Sequence, residues 1–399
     1  MDLNEVLAEG FTPTTDEDWE TLSALSNQIF DPRSPIDDAK LFSGRIEQIN
    51  DVLEAVYQKG GHAVIFGERG VGKTSLAKII DKRVAKIMGK ITVKFISCGV
   101  NDDFYTIWGN AFNEHTAGEI DPASHFKNKD NPYEVYNAIV DNLTNGQTIY
   151  IFDEFDRIRD KDALFLMADL MKHFSNNPVK ATVVIVGVGE TLNDLFDSHE
   201  SVSRCCSQVK MPRMEPSELS AIMSERFPRM GILLADGVTE KIVKLSQGLP
   251  GYVHLMSQLC LRSAIDRRST TVTEDDLKFA LSKAVEKADQ RTRQDYYKAI
   301  NSSRADSKYE EVLIACALAD SNELGWFYAG SVRDPYSKIR GKQMEVPNFS
   351  TNLANLCSDE RGPTLIKSGI PKRYQYRFAN PLLQPLAVMV GVQKGLIPL

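Results

Sequence analysis

The run Gly67-Glu68-Arg69-Gly70-Val71-Gly72-Lys73-Thr74 constrains this chain more than any other stretch. It fits the pattern GxxxxGK[ST], directly after a short apolar run at 62–66 that reads as a buried strand and directly before a segment at 75–87 that reads as a helix. The context matters as much as the pattern. Glycines let the backbone turn so that its N–H groups and the helix N-terminus converge on one point, which favours an anion there. Lys73 then bridges β- and γ-phosphates, and the Thr74 hydroxyl offers a hard oxygen to magnesium. The expected nucleotide contacts are Gly67, Glu68, Arg69, Gly70, Val71, Gly72, Lys73, Thr74 and Ser75, with ATP and magnesium as cofactors.

A site of this kind needs a second element to hold metal and water. Residues 148–152 form an apolar, β-rich run that ends in Asp153 and Glu154, some 80 residues after the glycine-rich loop. Asp153 is placed to hold the magnesium, usually through water. Glu154 is placed to polarise the attacking water as general base. The alternative is a strand that merely ends in solvated acids, and Asp156 reads as such a solvated neighbour.

At 399 residues the chain is long enough for two or three domains. Residues 1–35 read as an acidic arm with one helix, Asp16–Ile29, ended by Asp31-Pro32 and Ser34-Pro35. From Leu41 strands and helices alternate: a helix at 46–58, then strands at 62–66, 91–97, 148–152 and 182–186, which is the signature of a parallel sheet covered by helices on both faces. After Pro216 only helices are legible, at 217–226, 236–246, 252–266 and 273–287, the last opened by Thr273 and Asp276 as a capping box. A charged stretch at 286–307 reads as a bridge. Helices at 308–318 and 349–357, two strands at 364–368 and 374–378, and a last helix from Pro381 suggest a winged helix. The expected fold is thus α/β, a P-loop sheet domain at 36–215, followed by an all-helical lid at 216–290 and a winged-helix domain at 305–399.

Charge and cysteine usage narrow the partners. The net charge of -7 excludes a globally basic nucleic-acid binder, but the balance is uneven: residues 1–60 hold 13 Asp and Glu against 4 Lys and Arg, residues 331–399 hold 10 Lys and Arg against 4 Asp and Glu. Any contact with nucleic-acid phosphates is therefore expected in the C-terminal part, from Arg333, Lys338, Arg340, Lys342, Lys367, Lys372 and Arg373, with the last two at a hairpin tip. The six cysteines contain no CxxC pair, and adjacent Cys205 and Cys206 make a poor disulfide or chelate, so all read as reduced packing thiols. With no secretory signal, transit peptide or long apolar run, a cytoplasmic protein without membrane contact is expected.

A P-loop, a strand closing in Asp-Glu, a further strand and an all-helical lid together resemble the AAA+ superfamily. Within it, Leu41-Phe42-Ser43-Gly44-Arg45 is similar to the segment that flanks the adenine in replication initiators of the origin-recognition type and their bacterial relatives. The resemblance implies that Phe42 and Arg45 contact the base, although Phe42 could equally pack the following helix. It places a polar sensor near the end of the next strand, where no Asn stands and Thr191 and Asn193 are the candidates. It also implies that Arg204, in Ser203-Arg204-Cys205-Cys206, reaches the γ-phosphate of a neighbouring subunit, against the alternative of a local ion pair. The lid lacks the arginine many initiators carry there. Its Gly248-Leu249-Pro250 looks like the GxP element of signal-transduction ATPases of the STAND class, in which the proline backs onto the nucleotide. His254 is either a substitute polar contact or simply packed. These features imply an oligomeric ATPase with slow turnover, associated with DNA or, in the STAND manner, with a protein effector.

Overall fold

The computed structural model describes residues 10–36, 42, 44–88, 91–112, 126, 133–142, 147–177, 179–196, 204–302, 307–371 and 373–399. The chain divides into two compact units, one made of Pro35–Glu68 and Gly72–Pro212, the other of Met1–Ser34, Arg69–Val71 and Arg213–Leu399.

The first unit is built on five parallel strands. These are β1 (His62–Gly67), β2 (Ile91–Ser97), β3 (Gln147–Asp153), β4 (Ala181–Val188) and β5 (Cys206–Met211), in the order β2-β3-β4-β1-β5. Parallel strands need crossovers, and helices provide them: α2 (Ile46–Tyr57) precedes β1, α3 (Lys73–Met88) follows it, and α4 (Phe104–Phe112), α5 (Tyr133–Asn142), α6 (Lys161–Asn176) and the short α7 (Asn193–Phe196) fill the other connections. The three inner strands β1, β3 and β4 are buried along most of their length, which is why they read as continuous apolar runs rather than alternating ones. In β3 the side chains still divide by the pleat. Tyr150 and Phe152 meet Trp108 of α4 in edge-on contacts, with ring centroids 5.0 and 4.9 Å away, while Ile149 and Ile151, also buried, take the opposite side. The register Ala63↔Val184 to Gly67↔Val188 brings the ends of β1 and β4 together, with the end of β3 one strand further on. Open parallel sheets bind ligands beyond these carboxyl ends.

His62, the first residue of β1, shows how the sheet depends on pH. It is fully buried, and its Nδ1 accepts the Val183 N–H at 3.0 Å, which requires a neutral ring; burial lowers its pKa to about 4. The unfolded ring titrates near 6.5, so between these values the unfolded chain binds the extra proton and stability falls as pH falls. The loss from this one group is about 3 kcal/mol, complete by about pH 4. Urea unfolding of His62→Gln is therefore expected to lose less stability than the wild type between about pH 7 and about pH 4.5. Parallel loss in both proteins would show that His62 does not carry the effect.

The second unit gathers the N-terminal helix and everything after β5. Helix α1 (Asp16–Ile29) is acidic on its exposed side, yet Trp19, Leu22, Leu25 and Ile29 are buried, and its N-terminus is closed by a Thr15/Asp18 capping box. The buried Arg226 donates to the Ile29 carbonyl at 2.8 Å and lies 3.2 Å from Nδ1 of His254, and Gln258 donates to the Phe30 carbonyl. His254 is thus a packed residue: burial and the neighbouring Arg226 hold it neutral. Helices α8 (Pro216–Ser224), α9 (Val238–Ser246), α10 (Pro250–Asp266) and α11 (Glu274–Lys287) follow, with a small parallel pair, β6 (Leu233–Leu234) and β7 (Thr271–Val272), tying two of their connections together.

Two helices of this unit lie where the sequence reading placed none. The charged stretch expected to be a bridge contains α12 (Gln290–Ile300), capped by Asp289 and anchored by buried Thr292, Tyr296 and Ala299. Helix α14 (Ala329–Arg340) runs through Pro335, because buried Val332 and Tyr336 hold it to the core despite the missing N–H. The remaining order is α13 (Tyr309–Ala317), β8 (Phe327–Tyr328), α14, α15 (Ser350–Leu356), then β9 (Leu365–Ser368) and β10 (Gln375–Phe378), with β8-β10-β9 antiparallel, and α16 (Leu383–Gln393). The arm, the lid helices and this C-terminal part share one apolar cluster. Among the described residues no helix is long and apolar enough to cross a membrane.

Candidate functional site

Where β1 ends, the chain must pass very close to β5. A Cβ on Gly67 would lie 2.3 Å from the Met211 carbonyl oxygen, so only glycine fits. Gly72 has φ 95, with nothing within 4 Å of a would-be Cβ, and helix α3 begins at the next residue. The first intrahelical bond runs from the Leu76 N–H to the Gly72 carbonyl, so the preceding amides are those that a helix N-terminus leaves for a ligand. Lys73 is buried, and its ammonium donates to the carbonyls of Gly67 at 3.0 Å and Glu68 at 2.7 Å. The Gly67 carbonyl also accepts the Gly189 N–H, which ties the loop to the segment after β4. Glu68 and Val71 are buried, Arg69 and Gly70 exposed.

Asp153, the last residue of β3, is buried, and burial raises its pKa; a hydrogen bond from the Thr74 side chain, the Glu154 amide at 2.9 Å and the charge of Lys73 act in the opposite sense. The structure thus brings the side chains of the two residues expected to hold magnesium next to each other. A hydroxyl and a carboxylate are hard oxygen ligands, the donor type magnesium takes, and the nearby lysine adds charge suited to phosphate.

Glu154 follows in the left-handed region, φ 56 and ψ 34, a conformation that costs a non-glycine residue about 1 kcal/mol or more. It caps the single 3-10 turn Phe155–Arg157, which is fixed by the fully buried Phe155 against Phe196. The backbone strain turns the Glu154 side chain to solvent, where Arg157 donates to its carboxylate at 2.6 Å. Arg157 was not legible as part of the site, since an arginine three residues after an acid is common on any surface.

Asp156 is a correction. Rather than being merely solvated, its carboxylate accepts the Val188 N–H at 2.8 Å and so clamps the turn after β3 to the end of β4. Its partner lies 32 residues away, so nothing local marks it. The two sensor candidates, Thr191 and Asn193, are both exposed; Asp194, which sequence reasoning missed, accepts the N–H groups of Glu190 and Thr191 and shapes that turn.

Other expected residues lie as follows. Arg45 is buried and donates to the Pro212 carbonyl, Phe42 is half-buried, and the Ser75 hydroxyl accepts the Ile36 N–H at 3.0 Å. Arg204 is exposed, two residues before β5. Pro250 is the first residue of α10. The turn before it is bonded in a way the sequence did not announce: Arg213 donates to the Gln247 carbonyl at 3.2 Å and to Gln384 of α16 at 2.7 Å, and Gln384 donates to the Ala317 carbonyl. In the basic C-terminal part, Arg340 is committed to a two-point pair with Glu311 and Arg333 pairs with Asp334, whereas Lys338, Lys342, Lys367 and Arg373 are exposed; Lys372 lies outside the described residues.

Residues 34–316 match the family model for novel STAND NTPase 1. The chain is 23% identical over 313 residues to an ORC1-type DNA replication protein of Thermoplasma volcanium, covering 75% of this chain and 74% of that protein. Among solved structures, it is similar to a Walker-type ATPase of Pyrococcus abyssi, with TM-score 0.55 and 16% identity over 90% of this chain and 99% of that one. It is also similar to the ORC1 protein of Aeropyrum pernix in complex with DNA, with TM-score 0.50 and 13% identity over 93% and 97%. At these identities the structural likenesses establish the fold alone.

Proposed function

The chain belongs to the novel STAND NTPase 1 family, with an AAA+ P-loop fold of the origin-recognition type, and on that premise we propose that it is an ATP-binding and hydrolysing switch. The observation that carries this reading is the pairing of Thr74 with Asp153 beside the buried Lys73, one residue before Glu154. Loop amides and Lys73 hold the phosphates, and Thr74 and Asp153 hold magnesium, which neutralises phosphate charge when bound. Glu154 takes the proton of the attacking water. Phe42 and Arg45 border the base, Pro250 senses nucleotide state, and Arg204 reaches a neighbouring subunit in an assembly of nucleotide-bound copies. Turnover is slow, as the lid lacks a phosphate-directed arginine.

The output in the leading reading is DNA, through a winged helix formed by α13 to β10. The support is the exposed Lys338, Lys342, Lys367 and Arg373, the name of the Thermoplasma relative and the DNA in the Aeropyrum complex. DNA affinity is expected to fall with salt, and Lys372→Glu/Arg373→Glu is expected to lower the slope of log K against log salt by about two, as each lost phosphate contact removes about one. Absence of DNA affinity with ATP, ADP or no nucleotide would remove the DNA part. The family match favours a second reading, a signalling or defence scaffold whose C-terminal part grips a protein effector. That reading predicts ATP-dependent assembly without DNA, and a monomer by light scattering under saturating ATP counts against it.

A further inference from the structure

The cysteines are not equivalent. Cys98, Cys260 and Cys316 are buried, and Cys357 is half-buried; burial pushes all four thiols above their ordinary pKa. Cys205 and Cys206 differ. They are consecutive, both partly exposed, and the turn leading into β5 places their sulfurs 3.8 Å apart, in van der Waals contact. Cys205 is tuned in the reverse sense from the others: its contact with the Cys206 sulfur and the positive charge of Lys172 outweigh burial and lower its pKa to about 7. The contact with Cys205, and after it burial, push the Cys206 thiol up. A thiolate in contact with a second thiol, both within reach of solvent, is the arrangement of an attacking and a resolving cysteine.

We propose that Cys205 and Cys206 form a reactive vicinal dithiol, a modification site for low-molecular-weight disulfides in which Cys205 attacks and Cys206 resolves. The Cys205 thiolate attacks one sulfur of the disulfide; a Cys205–sulfur bond forms, the original sulfur–sulfur bond breaks, and one thiolate leaves and takes up a proton. Cys206 then gives its proton to solvent and attacks the Cys205 sulfur, expelling the second thiolate. The two cysteines are oxidised by two electrons, and the small disulfide is reduced to two thiols. Consecutive Cα atoms are about 3.8 Å apart, below the usual 4.4 to 6.8 Å span of a disulfide, so the closed ring is strained and is reopened readily by thiols. The dithiol is therefore the resting state and the oxidised form a reversible one. The pair stands beside Arg204, and β5 runs along β1 from His62↔Cys206 to Gly67↔Met211, so the modification falls at the opposite end of that strand pair from the phosphate loop.

The test uses the full chain and oxidised glutathione at neutral pH, followed by intact mass and peptide mapping without reductant. Wild type is expected to pass through a mixed disulfide at Cys205 and end two hydrogens lighter, with Cys205 linked to Cys206 and both thiols restored by reduced glutathione. Cys206→Ser should stop at a stable Cys205 mixed disulfide, and Cys205→Ser should leave Cys206 unmodified. As a measure that needs no variant, sub-stoichiometric iodoacetamide on wild type should label Cys205 at least about tenfold faster than Cys357. Equal labelling of the two, or faster labelling of Cys357, overturns Cys205 as the nucleophile. Wild type that accumulates glutathione on both residues overturns Cys206 as the resolving thiol.

Discussion

Glu154→Gln is expected to keep ATP and lose hydrolysis by about 10²- to 10⁴-fold, the range that a positioned general base contributes. The amide preserves size and hydrogen bonding but cannot take a proton. The backbone makes the test sharp. Because Glu154 sits in a left-handed conformation fixed by the buried Phe155, the substitution changes the side-chain terminus without moving Asp153, whose carboxylate is held by the Glu154 amide rather than by its side chain. Steady-state phosphate release should collapse while calorimetric ATP affinity stays within a few-fold. A Glu154→Gln protein with wild-type turnover would refute the base assignment and shift attention to the other acids after β3. The variant is also the tool for identifying output, since whatever co-purifies with the ATP-loaded form, nucleic acid or protein, separates the two proposed readings.

Lys73→Ala is expected to weaken ATP binding by about 100-fold or more. A charge-assisted hydrogen bond to phosphate contributes about 1.5 to 3 kcal/mol, and a loss of about 2.7 kcal/mol is 100-fold in affinity. The same change removes the donor that the Gly67 and Glu68 carbonyls share, so the loop itself loses two bonds that hold its shape. Titration calorimetry with ATP and magnesium measures the first effect, and thermal unfolding without nucleotide separates the second. Unchanged ATP affinity in a folded Lys73→Ala protein would mean that the loop does not bind phosphate as proposed. The two variants test different links. Lys73→Ala acts on binding, which Glu154→Gln spares.

Much of the sheet and its loop was legible because the signals are local. Gly67 and Gly72 stand where a close approach and a positive φ exclude other residues, and Lys73 begins a helix directly behind them. Apolar runs of strand length followed by Asp153 and Glu154 announced β3 with its acids, and the Thr273/Asp276 capping box formed as expected. What the sequence left open has a common physical cause, namely partners remote along the chain. Asp156 looked solvated until β4 brought the Val188 amide to it. Arg45 is buried with its guanidinium on the Pro212 carbonyl, 167 residues away, a partner that the sequence does not announce.

The sequence by itself determined where the glycine-rich loop and the acid pair fall and the alternation that makes a parallel sheet. These follow from backbone stereochemistry and short-range periodicity, which act within a few residues. The tertiary structure alone decided the strand order β2-β3-β4-β1-β5, the approach of Thr74 to Asp153, the burial of an acidic N-terminal helix through its apolar face, and the contact of Cys205 with Cys206. Each of these depends on which surfaces must leave water together and on which polar groups must then be paired, and that is settled only when distant segments pack.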